Sequence, residues 1–182
     1  MVTTIRIHFL FMLLSFAHVA SAQLYSTQTG SISFYSTTPV EDIQAESKRV
    51  LAVINTEKNT IAFKVANTSF EFPNKFMQEH FNEKYMESDK YEYSTFSGTI
   101  QEKIDYTKSG IYDVTVDGKL NIHGVEQTRS IKGKINVTED GIAIQTKFGV
   151  ALIDHKIKVP TVVVAKIAEV IDVSVTTQLV KK

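Results

Sequence analysis

The chain has 182 residues, with 20 basic and 20 acidic side chains, no cysteine and no tryptophan. A balance of that kind gives no electrostatic footprint for nucleic acid, and the missing thiols remove disulfides, thiolate catalysis and thiolate metal sites together. The fold must hold by packing alone, which a chain of this length can do.

Met1 to Ala22 carries one early charge, Arg6, then the apolar run Phe9 to Ala17, and ends in Ala20-Ser21-Ala22 before Gln23. That is the three-part pattern of a secretory signal, and its apolar run is too short to span a bilayer as a helix. Residues 1–22 are therefore expected to be a signal peptide and 23–182 the mature domain. Cleavage removes Arg6 and leaves that domain at a formal charge of −1. No second apolar stretch long enough for a transmembrane helix follows residue 22.

The mature part is dominated by alternation at a period of two, the mark of strands with one wet and one dry face. Ile32 and Phe34 alternate with Ser31, Ser33 and Tyr35. Pro39 to Lys48 reads as a short helix or helical turn, with Glu41 and Asp42 in its first turn. Val50, Ala52 and Ile54 oppose Arg49, Leu51 and Val53; Glu57-Lys58-Asn59 reads as a turn into Ile61, Phe63 and Val65. Asn74 to Tyr85 places Phe76, Met77, His80, Phe81 and Tyr85 at helical spacings, with Asn74 as N-cap. Phe96, Gly98 and Ile100 share one face of residues 93–103.

The later strands are the most regular. Tyr112, Val114, Val116, Gly118, Leu120 and Ile122 share a face, as do Ile131, Gly133, Ile135 and Val137. After a turn at Glu139-Asp140-Gly141 come Ile142, Ile144, Thr146, Phe148, Val150 and Leu152, and near the C-terminus Ile171, Val173, Val175, Thr177 and Leu179. Pro160 to Ala168 fits a strand or a turn equally well.

About eight one-faced strands with little helix to cover them must cover themselves, as a sandwich or a barrel. Up-and-down order with short connections favours an antiparallel barrel, an all-β fold with a short helical insert. A barrel of eight strands can be filled by side chains or hold one small ligand. Gly98, Gly118 and Gly133 on the dry face either relieve curvature or mark a close approach.

Reactive chemistry is poorly represented. His80, His123 and His155 lack metal-ligand spacing, even with Asp154 beside His155, and His123-Gly124 reads as a hairpin corner with a capping ring. There is no G-x-S-x-G, and Ser97-Gly98 lies within a strand, so neither a catalytic residue nor a metal or cofactor site is expected. Phe63, Phe70, Phe72, Phe76, Phe81, Phe96 and Phe148 are candidates to rim or line an apolar pore.

The segment Asp117-Gly118-Lys119-Leu120-Asn121-Ile122-His123-Gly124-Val125, followed by the strand Arg129 to Val137, resembles the YceI-like family of exported polyisoprenoid-binding proteins. Phe76 to Tyr85 resembles that family's helical insert, and Tyr93 to Gly98, Lys147 to Val150 and Ile171 to Leu179 fit as well. The resemblance implies a lipocalin-like barrel with an apolar pore for a long-chain lipid, in a periplasmic or secreted protein. The residues expected to line the pore are Phe34, Ile61, Phe63, Phe96, Val114, Val116, Ile135, Ile144, Phe148 and Val173. A filled barrel serving as a structural or partner-binding envelope module is the alternative. A hydrolase would need a residue the sequence does not offer, and pairing into a homodimer is left open.

Overall fold

The computed structural model describes residues 23 to 182, so the expected signal peptide lies outside the described residues. Eight strands run in order: β1 Leu24–Thr37, β2 Asp42–Asn55, β3 Thr60–Ala66, β4 Tyr93–Ile100, β5 Gly110–Ile122, β6 Val125–Thr138, β7 Gly141–Ala151 and β8 Val170–Lys181. Each pairs antiparallel with the next and β8 returns to β1, closing the barrel. Closure turns the apolar faces inward and gives every strand a partner on both sides over at least part of its length. Connections 38–41, 67–92, 123–124 and 152–169 gather at one end, here the upper; 56–59, 101–109 and 139–140 gather at the lower.

The lower end is solid. Ile54, Ile142 and Leu179 have no exposed surface there, and Ile104 and Tyr106 of connection 101–109 pack beneath them. Asn59, with φ at +54°, is the clamp: its Nδ2 donates to the carbonyls of Ile100 and Glu102 at 2.8 and 2.9 Å. Its Oδ1 accepts from the Tyr106 hydroxyl at 2.9 Å. Burial pushes that phenol up to about 12. One polar atom in this wall has no partner: Thr177 Oγ1, on a residue only 2% exposed. Valine has the same shape without the hydroxyl, so Thr177→Val should stabilise the domain by about 1 kcal/mol, read as a higher urea midpoint at unchanged slope.

The inward glycines divide in role. Gly98 and Gly118 are register partners across β4–β5, and a Cβ on Gly98 would sit 2.6 Å from the Asp117 carbonyl oxygen and 2.9 Å from the Gly118 Cα. Here two backbones need the space. Gly133 instead lies in the wall of an internal cavity.

One expectation is corrected. Pro39 to Lys48 is not helical, because Asp42–Asn55 is a single strand paired with β1 along its length. Its inward residues here are Ile43, Ala45 and Ser47, two of them small or polar, and at a register irregularity the inward parity then switches to Val50, Ala52 and Ile54, which hides the two-residue period from a hydrophobicity reading. Ser47 is nonetheless buried, its hydroxyl 2.6 Å from that of Ser69. Ambiguous Pro160 to Ala168 holds a 3₁₀ segment, Thr161–Lys166.

Two of the ladders stop well short of the upper end. β3 pairs only with Leu51 to Asn55 of β2; the gap above is filled by segment 67–72, through the backbone bridge Glu46–Glu71 and the Ser47–Ser69 bond. β6 and β7 pair only from Gly133/Thr146 downward, so their upper halves run side by side without a ladder.

Candidate binding cavity

The upper half of the barrel is hollow. A cavity of about 550 Å³ occupies it, within the roughly 300–1,000 Å³ typical of small-molecule sites. All ten residues expected to line a pore stand in its wall: Phe34, Ile61, Phe63, Phe96, Val114, Val116, Ile135, Ile144, Phe148 and Val173. The strand period puts them there, since each occupies the inward parity of its strand.

A lid covers the upper end. Helix α1, Lys75–His80, continues as a π turn, Phe81–Tyr85. Asn74 caps it by accepting the Phe76 N–H at 2.9 Å, as its position in the sequence suggests. The turn is closed by Met86 N–H to the Phe81 carbonyl at 2.8 Å and by Ser88 Oγ to Asn82 Oδ1 at 2.7 Å. Under the lid sits an aromatic cluster: Phe34 lies 5.4, 5.7 and 5.4 Å, ring to ring, from Phe70, Phe72 and Phe81. The first two pairs are tilted and edge-on, and Phe34 stacks on Phe81. Phe76 lines the cavity yet is 62% exposed, so the mouth opens beside it.

The rim carries the polar groups. Glu41 of connection 38–41 meets Lys166 at 3.4 Å, and the Ala168 N–H donates to Ser36 Oγ at 2.9 Å. Together they tie connection 152–169 across the opening. Ile43, Leu152, Ile157 and Ile167 also line the cavity, and sequence reasoning misses all four as lining residues. Ile43 falls in the stretch expected to be helical, and Leu152 continues the β7 face beyond the strand's end. The other two sit in irregular segments without a period to read.

His80, His123 and His155 do not converge. His80 lies on the lid, its ring 4.0 Å from that of Phe76. His123 and Gly124 both have positive φ, at +53° and +69°, forming the two-residue turn of the β5–β6 hairpin. The His123 ring joins three upper connections, with Nδ1 3.1 Å from the His155 carbonyl and Nε2 2.7 Å from Glu87 Oε2. Among the described residues no group of three His, Asp or Glu side chains is placed to hold a metal ion.

His155 is wholly buried; its Nδ1 donates to the Val125 carbonyl at 3.1 Å and its Nε2 has no partner. Burial holds its pKa below the usual histidine value. Neutral His155 therefore stabilises the fold above the unfolded value of about 6.5, and that contribution is lost as pH falls below it. Urea midpoints of wild type and His155→Asn should converge between pH 8 and pH 5, as the wild type alone gives up this contribution.

The model of the YceI-like domain matches residues 11–179. The chain belongs to the YceI-like family. Comparison with curated proteins gives no match. Among solved structures, a polyisoprenoid-binding domain from Saccharophagus degradans superimposes with a TM-score of 0.73 at 13% identity, covering 89% of this chain and 99% of that one. BcnA from Burkholderia cenocepacia gives 0.67 at 15% identity, covering 83% and 95%. The YceI protein of Campylobacter jejuni gives 0.59 at 17%, covering 76% and 84%. At these identities the likeness is one of fold, and the YceI-like barrel is the fold described above.

Proposed function

We propose that this YceI-like protein is a non-enzymatic lipid carrier that holds a polyisoprenoid or similar long apolar chain inside the barrel. The supporting observation is the cavity of about 550 Å³ walled by Ile, Val and Phe from every side of the barrel. Binding would come from apolar burial, at about 0.8 kcal/mol per CH₂. Some fifteen such groups supply roughly 12 kcal/mol gross, enough for micromolar affinity after the cost of lost motion. The polyisoprenoid-binding domain of S. degradans shares the fold and agrees with this reading. The rim, with Ser36, Glu41 and Lys166, is where a polar head would rest.

The filled-barrel alternative needs an interior occupied by side chains, and the cavity counts against it. Purified protein titrated with a fluorescent polyprenol should show saturable one-to-one uptake at micromolar or tighter affinity; a flat titration refutes the proposal. The carrier is proposed to work outside the cytoplasm, in the periplasm or as a secreted protein. The mass of the protein recovered from an expressing host should then place its N-terminus at Gln23, and an intact Met1 in the functional pool would refute export.

A further inference from the structure

The cavity has a mouth beside Phe76, but its wall is also weak at one place. β6 and β7 are ladder-paired only from Gly133/Thr146 to Thr138/Gly141. Above that level, residues 125–132 of β6 are held by β5, and residues 147–151 of β7 by β8. Each edge is thus ordered by its outer neighbour and not by the other edge.

Side chains close the gap. Arg129 Nη2 donates to the Gly149 carbonyl at 2.7 Å, and Thr146 Oγ1 to the Lys132 carbonyl at 2.7 Å. Higher up, Gln127 Nε2 donates to the Asp154 carbonyl at 2.8 Å and His155 Nδ1 to the Val125 carbonyl at 3.1 Å. The contrast with the β2–β3 gap is plain: there a backbone bridge and buried rings fill the opening. Side-chain bonds can break singly by rotamer change, on a far shorter timescale than a ladder unzips. Directly behind this seam stand Ile131, Gly133, Thr146, Phe148 and Val150, all in the cavity wall. Along the seam, side-chain contacts in place of a ladder thus separate solvent from the apolar interior.

We propose that the upper β6–β7 seam is a side portal through which the chain-shaped ligand enters and leaves, with Arg129, Gln127, Thr146 and His155 as its closing residues. This rests on the lipid-carrier reading above. The physical gain is continuity: a chain threaded end-on through the mouth must be drawn wholly into water before transfer, whereas a slot along the wall passes it sideways. A portal of this kind sets rates in both directions and leaves the equilibrium alone.

The chain has no cysteine, which makes the test clean. Ser130 and Lys147 lie on the outer faces of the two edges, both exposed. The S130C/K147C protein, folded first and then joined by a short bismaleimide, is compared with the same protein left unjoined. The readout is fluorescent polyprenol transfer from and to phosphatidylcholine vesicles. Joining should slow loading and release at least tenfold with Kd unchanged. Arg129→Ala should do the reverse, quickening both severalfold at unchanged Kd. Equal rates in joined and unjoined protein would overturn the portal and leave the mouth by Phe76 as the route. Loss of affinity on joining would also overturn it, by showing the seam to be an element of the binding wall. If the unjoined protein takes up no polyprenol, the carrier reading itself fails and the portal falls with it.

Discussion

Val116→Phe/Val173→Phe protein should lose polyprenol uptake by at least tenfold while unfolding at the same or a higher urea concentration than wild type. Both valines stand in the cavity wall, on β5 and β8, and are less than a tenth exposed. Both belong to the packed core, but each also borders the cavity, so a phenyl ring at either position is expected to extend into open volume. The usual penalty for over-packing, about 1–3 kcal/mol, applies where no room exists. Filling a cavity works the other way, since residual voids cost roughly 24 cal/mol per Å³. Binding and stability are therefore expected to move in opposite directions, and no general unfolding defect can produce that pair of results. A variant that binds normally would show that the ligand lies elsewhere.

Phe34→Ala should be the most damaging single truncation. With Phe81, the Phe34 ring is a hub of the cluster under the lid, touching Phe70, Phe72 and Phe81 at 5.4 to 5.7 Å. The cluster draws on β1, the 67–72 segment and the π turn, so loss of its hub loosens three elements at once. Truncation of a core Phe costs about 3–5 kcal/mol, which for a domain of this size lowers Tm by roughly 6–20 °C. Phe34→Leu keeps most of the buried area and should recover most of that loss. Thermal unfolding of the two variants beside wild type decides the matter. A Phe34→Ala protein within about 2 °C of wild type, on the order of 1 kcal/mol or less, would show that the cluster is not what holds the lid.

The barrel is legible because its strands keep strict parity. Ile142, Ile144, Phe148 and Val150 against Ala143, Gln145, Lys147 and Gly149 leave one arrangement that buries the apolar set. The same parity carries the ten wall residues to the cavity without further information. It fails where the inward positions are not apolar: Ala45 and Ser47 give the first half of β2 no hydrophobic period, and Ser47 is buried through its bond to Ser69 instead. The rim residues Ile157 and Ile167 are invisible because 3₁₀ and loop segments impose no spacing. The β6–β7 seam cannot be foreseen at all, since β6 runs on past Ile131 to Arg129 and Gln127 with no mark of where pairing stops. Ladder extent depends on barrel curvature, a property of all eight strands together.

Whether a chain-shaped lipid occupies the barrel is tested most directly by native mass spectrometry of gently purified protein, with solvent extraction of the same sample. The account predicts a one-to-one adduct that extraction releases as a long apolar chain and that the Val116→Phe/Val173→Phe protein lacks. Bare protein from repeated preparations, together with no uptake of added polyprenol, would contradict it.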